Sequence, residues 1–271
     1  MTTPGTAPVR HASPVASAIS SSRVDRAGAL IGYLPVGFPN LAESIDAAVA
    51  LVENGVDVLE LGIPYSDPVM DGPVIQKATQ ASLDAGFRLT DAFTAVEAIR
   101  SRVDAPVLLM TYWNPVVQYG VGRFADDLRS AGGAGLITPD LTVDSGADWL
   151  DESDRTGLDR VFLAAPTSTE ERLRLAVSNS RGFVYTVSTM GTTGARTELG
   201  AAAKQLVTRL REVGADSACV GIGVSTAEQL AAILSYADGA IVGSALVRAL
   251  AEDGVSGVAR LAAALSEGTA R

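Results

Sequence analysis

Beyond Ala29 the chain alternates short apolar runs with longer stretches in which apolar residues recur at helical spacing. The short runs, bounded by glycine, proline or polar residues, predict strands at 29–34, 56–61, 107–111, 135–138, 160–164, 183–187, 218–221 and 240–242. The longer stretches predict helices over 41–53, 74–83, 91–102, 123–130, 145–150, 170–177, 201–213, 227–234 and 245–251. Asn40 reads as a helix N-cap, Ser225 with Glu228 as a capping box, and Asn54-Gly55 as the close of the first long helix.

Eight strands, each followed by a helix, in about 240 residues predict an α/β fold, a single (β/α)8 TIM barrel. A doubly wound open sheet fits less well, because the turn after the first strand, Pro35-Val36-Gly37-Phe38-Pro39, has no G-x-G-x-x-G. Two departures from the plain repeat stand out. Residues 62–87 insert a loop with Pro64, Pro68, Gly72 and Pro73 and a short helix after strand 2, and such insertions fall on the catalytic face of a barrel. Residues 1–22 are rich in Ala, Ser, Thr and Pro and lack the apolar segment of a secretory signal. They predict a mobile leader running into an extra N-terminal helix near 15–21, with 23–271 as one catalytic domain.

Composition narrows the chemistry. With 47 % apolar and 19 % charged residues, and no apolar run near the ~20 residues of a membrane span, the chain reads as a soluble cytoplasmic protein. A net charge of −10 argues against nucleic acid. One histidine, His11, and one cysteine, Cys219, cannot build a His/Cys metal cage or a Ser-His-Asp triad, so no metal site is expected. Lys77 and Lys204, the two lysines, both fall in helix-like polar stretches and leave a Schiff-base mechanism almost without candidates.

What remains is carboxylates, tyrosines, hydroxyls and backbone amides. Glu60 interrupts an apolar strand, on the same face as Val58, at the end that opens into the barrel mouth. Asp71 follows on a Pro/Gly-braced loop, so the two carboxylates can face one cavity and divide acid and base roles. Asp67 is the alternative second member, and loop aspartates also form turns. Gly223 and the Gly243-Ser244 pair sit at the ends of strands seven and eight, where barrels of this class bind phosphate against a helix N-terminus. Arg196, in the loop after strand six, is either an assistant to that phosphate or a solvated surface residue. Tyr33, Tyr112 and Tyr185 end the first, third and sixth strands and favour a flat apolar ligand, core packing being the plainer role of any one of them.

The run Leu59-Glu60-Leu61-Gly62-Ile63-Pro64-Tyr65-Ser66-Asp67-Pro68-Val69-Met70-Asp71-Gly72-Pro73-Val74-Ile75-Gln76 resembles the signature of the tryptophan synthase alpha subunit family. Leu109 to Pro115, Thr138 to Leu141, Tyr185 to Gly194, Gly221 to Val224 and Gly243 to Ala245 support it, so the similarity spans about 29–251. The resemblance implies a lyase that cleaves indole-3-glycerol phosphate to indole and glyceraldehyde 3-phosphate by a retro-aldol reaction. Glu60 and Asp71 would be its catalytic pair. It further implies that Tyr33, Tyr112, Tyr185, Thr193 and Ile222 bind substrate, and that Gly194, Gly223, Gly243 and Ser244 hold the phosphate. Ile222 departs from the aromatic residue common in the family. Pro64, Asp67, Pro68, Asn114 and Pro115 would face a beta subunit that carries pyridoxal phosphate in an α₂β₂ complex, this chain holding no cofactor of its own. The competing readings are another phosphate-binding barrel enzyme such as a sugar-phosphate isomerase, a catalytically weak activator of the beta subunit, and a stand-alone indole-releasing lyase.

Overall fold

The apolar runs pair as parallel strands whose order closes on itself. The computed structural model describes residues 12–187 and 196–271. Its strands are β1 (Ala29–Pro35), β2 (Val58–Gly62), β3 (Val107–Met110), β4 (Gly135–Ile137), β5 (Asp159–Val161), β6 (Leu163–Ala164), β7 (Val184–Val187), β8 (Ala218–Gly221) and β9 (Gly239–Val242). β1 lies between β2 and β9, and the sheet runs outward from it to β5 on one side and β6 on the other. β5 and β6 are successive pieces of the run predicted at 160–164, so the two sheet ends meet in one strand and the architecture is an eight-stranded TIM barrel. At the break, the Phe162 N–H turns to the Ser180 hydroxyl at 3.3 Å while its carbonyl still accepts from Tyr185 N–H at 3.0 Å.

The helices are α1 (Pro14–Asp25), α2 (Leu41–Glu53), α3 (Pro73–Asp84), α4 (Leu89–Arg100), α5 (Trp113–Tyr119), α6 (Val121–Ser130), α7 (Ala147–Thr156), α8 (Glu170–Asn179), α9 (Arg196–Glu212), α10 (Ala227–Leu234) and α11 (Ser244–Glu267). Asn40 caps α2 as predicted, its side chain accepting from Glu43 N–H at 3.0 Å, and Gly55 ends that helix with φ +100°. The cap of α10 lies one residue later than predicted. Thr226 accepts from Gln229 N–H at 3.3 Å, and the Gln229 side-chain oxygen accepts from Ser225 N–H at 2.9 Å, so the N-cap is Thr226 rather than Ser225. α5 has no counterpart in the apolar periodicity. A carboxylate from the next strand's loop creates it: Asp140 takes the Trp113 N–H at 2.9 and 3.1 Å, capping the helix from outside its own sequence. α11 runs well past the predicted 251, through a kink where Gly254 adopts φ +64°.

Strand alternation divides the core into two layers of contact. Outward residues such as Leu30, Leu59, Leu109 and Val220 pack under the helices, while Ile31, Val58, Leu108, Cys219 and Ile241 fill the barrel interior. The helix predicted near 15–21 is observed as α1, and its fully buried Val15 and Ile19 close the bottom of that interior cluster. Asp159 holds its N-terminus, accepting from the Ser13 hydroxyl at 2.8 Å and the Val15 N–H at 3.4 Å.

Candidate active site

One layer above the interior plug the side chains change character. In register, Ile31 lies beside Val58, and two residues on Tyr33 lies beside Glu60, so the alternation that buries Val58 in the plug points Glu60 into the mouth. Across the barrel, Leu163 pairs with Tyr185, which stands one inward position above Phe183. Tyr33, Glu60, Leu163 and Tyr185 line a cavity of about 230 Å³. Asp71 and Met70 close it from the loop ahead of α3, and Gly223, Gly243 and Ser244 border its far side.

Two glycines make room for the tyrosines. A Cβ at Gly62 would stand 2.2 Å from the Tyr33 hydroxyl, and one at Gly221 would stand 2.8 Å from that of Tyr185. Both phenol rings therefore lie across the neighbouring strand, where any larger residue would push them into the cavity. Gly243 also precedes the first turn of α11, whose unpaired amides and dipole suit an anion.

The electrostatics of this layer are unbalanced. Glu60 is buried, at 1 % exposure, and its Oε2 has no hydrogen-bond partner among the described residues. Burial, and after it the charge of Asp71, pushes the Glu60 carboxyl from 4.5 up to about 8. Burial raises Asp71 from 3.8 to about 6. Near pH 7 the pair thus holds one proton, on Glu60, and one charge, on Asp71. The Tyr33 and Tyr185 phenols rise well above their usual range through burial and then the nearby carboxylates, so both stay neutral donors.

The loop that carries Asp71 is pinned at both ends. Asp71 N–H donates to Pro68 O at 3.2 Å to form a turn, and the Gln76 side-chain amide of α3 donates to Asp71 O at 2.9 Å. From the opposite side, Met70 N–H donates to the Tyr112 hydroxyl at 2.8 Å. Tyr112 packs against Tyr65 with ring centroids 5.2 Å apart, and the Asn114 amide donates to the Tyr65 hydroxyl at 3.3 Å.

Of the residues singled out in the sequence, Tyr33, Glu60, Asp71, Tyr185, Gly223, Gly243 and Ser244 come together around this cavity. Tyr112 does not line it and stands behind the Asp71 loop. Ile222 lines a separate cavity of about 430 Å³ between α9 and α10, alongside Lys204, Gly223 and Tyr236. Thr193 and Gly194 lie outside the described residues, and so does the side chain of Arg196. Asp67, the alternative carboxylate, is exposed and bonds to Ser66 rather than entering the cavity. Pro64, Asp67, Pro68, Asn114 and Pro115 belong to two adjoining features of the same rim, the Asp71 loop and the start of α5, linked through the Tyr65–Asn114 bond. Sequence reasoning missed Met70, Met110 and Leu163 as cavity walls. Met110 and Leu163 were readable from strand alternation, two residues beyond Leu108 and Val161.

Comparison with known proteins gives the same answer as the geometry. A family model described as tryptophan synthase alpha chain matches residues 19–268. A tryptophan synthase alpha chain of Leifsonia xyli is 69 % identical over 259 residues, covering 96 % of this chain and 99 % of the relative. One of Mycobacterium avium is 53 % identical over 258 residues, covering 95 % of each. A solved tryptophan synthase structure from Mycobacterium tuberculosis superimposes with a TM-score of 0.90 at 51 % identity, over 96 % of this chain and 99 % of that one. A tryptophan synthase complex from Pyrococcus furiosus gives a TM-score of 0.80 at 34 % identity, over 89 % and 98 %. With its barrel, its paired carboxylates and these relatives in agreement, the chain belongs to the tryptophan synthase alpha chain family.

Proposed function

We propose that this chain is the lyase of the alpha reaction in tryptophan biosynthesis, cleaving indole-3-glycerol phosphate to indole and glyceraldehyde 3-phosphate. The observation that carries this reading is the asymmetric carboxylate pair, protonated Glu60 and ionised Asp71 near neutral pH, in the cavity whose far side is bordered by Gly223, Gly243 and Ser244. The phosphate binds the amides of these glycine-rich strand ends, with Ser244 and the α11 N-terminus, together with Gly194. Tyr33 and Tyr185 flank the indole, and Thr193 completes the site from the sixth loop.

In this scheme Glu60 donates its proton to indole C3, turning the ring into a leaving group. The bond from C3 to the side-chain carbinol carbon then breaks as Glu60, now a carboxylate, takes the hydroxyl proton and an aldehyde forms. Asp71 accepts a hydrogen bond from the ring N–H, where positive charge develops, a contribution of about 3 kcal/mol by comparison with single oxyanion-hole donors. Glu60 ends with the proton it started with, so the cycle balances without a redox partner.

The indole passes to a beta subunit that carries pyridoxal phosphate in an α₂β₂ complex, and the rim formed by Asp67, Pro68, Asn114 and Pro115 meets that partner, Pro64 itself being buried. Among the described residues no lysine lines the catalytic cavity. The enzyme is read as cytoplasmic, its catalytic domain taking in α1 ahead of residues 23–271 because Val15 and Ile19 close the bottom of the barrel; no helix among the described residues is long and apolar enough to cross a membrane. An indole assay on the purified chain, with and without a tryptophan synthase beta subunit, tests this directly. Weak cleavage alone and a marked gain in the complex are expected. No indole in either case would overturn the reading, and strong activity indifferent to the partner would make the chain a stand-alone lyase.

A further inference from the structure

We propose that Tyr112 is a positioning residue that sets where Asp71 stands, through its hydrogen bond to Met70, and does not act as a wall of the indole pocket. The inference rests on the role given above to Asp71, and its support is geometric. Tyr112 is buried, yet it does not line the catalytic cavity, whereas Met70 and Asp71 both do. Its hydroxyl accepts the Met70 N–H at 2.8 Å. Among the described residues Tyr112 is the one side chain beyond α3 that hydrogen-bonds to residues 66–72, its hydroxyl meeting the backbone of Met70 and, more weakly, of Asp71. Their other bonds are the Asp67–Val69 and Pro68–Asp71 turns, the Ser66–Asp67 contact and the bonds to Gln76 of the adjoining α3.

The grip comes from a rigid base. Tyr112 is the N-cap residue of α5, whose first amide, that of Trp113, is held by both oxygens of Asp140. Its ring is braced by Tyr65 at 5.2 Å. A helix start fixed by a carboxylate thus reaches across to the backbone amide immediately before Asp71. A short loop pinned at that amide has little freedom to swing its next side chain. Misplacement of a catalytic group by about 1 Å is enough to lower turnover sharply. Asp71 must meet a ring N–H with hydrogen-bond geometry, so its loop needs such an anchor more than Glu60, which is fixed within a strand, needs one.

The test replaces Tyr112→Phe, which keeps the ring and its packing on Tyr65 and removes only the acceptor. Amide exchange is measured on the full-length chain, and indole release from indole-3-glycerol phosphate on its complex with the beta subunit. Met70 amide exchange is expected to speed up roughly fivefold to tenfold, the loss of one hydrogen bond, while amides of β1 and β2 stay unchanged and so report an intact barrel. A fall in kcat of about tenfold is expected, with KM within about twofold. In an Asp71→Asn background the same substitution should cost almost nothing further, because its effect passes through that carboxylate. Unchanged Met70 exchange would overturn the proposal. So would a rise in KM with kcat intact, which marks a pocket wall, or a loss that multiplies with that of Asp71→Asn. Should Asp71→Asn alone keep full activity, the assignment of Asp71 fails, while the exchange of Met70 still decides whether the anchor exists.

Discussion

The two ends of the barrel both bury acids, and they treat them in opposite ways. At the bottom, Asp238 is 1 % exposed, accepts from Ala218 N–H at 2.8 Å, and faces both Arg23 and Arg211. Asp57 takes the Leu30 N–H at 2.8 Å and pairs with Arg26. At the top, Glu60 is as deeply buried as Asp238, but among the described residues it pairs with no arginine and one of its oxygens has no partner. Burial depth therefore does not separate a structural acid from a chemical one. The separation lies in whether the surroundings neutralise the charge or leave the group able to change its protonation state.

Removing the ionisable group at the top should give the largest effect. Glu60→Gln is expected to lower kcat for indole release by roughly 10²–10⁴-fold, the range of a lost acid–base group. It should also stabilise the protein. The folded carboxyl titrates near 8 against 4.5 for the free group, so the stability wild type has below pH 4.5 is lost as pH rises through 8. Gln does not ionise, so the advantage of the variant should grow across that window to a few kcal/mol and vanish at its acid end. Thermal unfolding at both pH values reads this. Equal stability of the two proteins at pH 8 would mean that Glu60 is neutralised after all, like the acids below it. The wild-type rate should follow a bell. It rises as Asp71 ionises near 6 and falls as Glu60 loses its proton near 8, and a pH–rate profile that stays flat from 6 to 8 would contradict the division of roles.

The mirror experiment at the bottom is Asp238→Ala. Its two arginines are nearly half exposed, at 45 % and 43 %, so their loss counts for little. The Ala218 amide is left unsatisfied inside the structure, and the expected destabilisation is about 2–3 kcal/mol. Activity per folded molecule should stay at the wild-type level, measured in the complex below the midpoint of unfolding. A variant that lost turnover without losing stability would erase the contrast between the two ends.

The upper half of this contrast was legible in the sequence, and the acids at the bottom were not. Eight apolar runs gave the barrel, and the alternation Val58-Leu59-Glu60 placed the carboxylate inside its mouth, because period-2 order in a strand needs no tertiary information. Gly223, Gly243 and Ser244 were legible for a similar reason, lying at strand ends where the barrel binds anions. What the sequence withheld depended on contacts between distant segments. α5 exists because Asp140 caps it across 27 positions, and no local periodicity encodes that. The break at Phe162, and the Thr226 cap in place of Ser225, turn on which of two neighbouring polar groups wins a hydrogen bond. Tyr112 was legible as a rim residue, but its attachment to Met70 spans 42 positions and shows only in the folded chain.

Asp159 lies between the two regimes, and the smallest effect is expected there. It is fully buried at the bottom and caps α1, yet Arg181 approaches no closer than 3.6 Å. Burial outweighs the Ser13 and Val15 hydrogen bonds and the attraction of Arg181 and Arg160, and lifts its carboxyl from 3.8 to about 6. Both arginines are shared with Asp154, which dilutes their hold on Asp159. By the same sign as for Glu60, stability present below pH 3.8 is lost as pH rises through 6, and Asp159→Asn removes that loss. Against this gain, the new amide keeps an oxygen for Ser13 and Val15 but turns an N–H₂ toward Arg181. The two contributions nearly cancel, leaving a net change at pH 7 of about 1 kcal/mol or less. The sharper measure is the pH dependence, which should flatten between 4 and 6 in the variant. A loss of several kcal/mol at pH 7 would instead make Asp159 a charge that Arg181 and Arg160 hold in place.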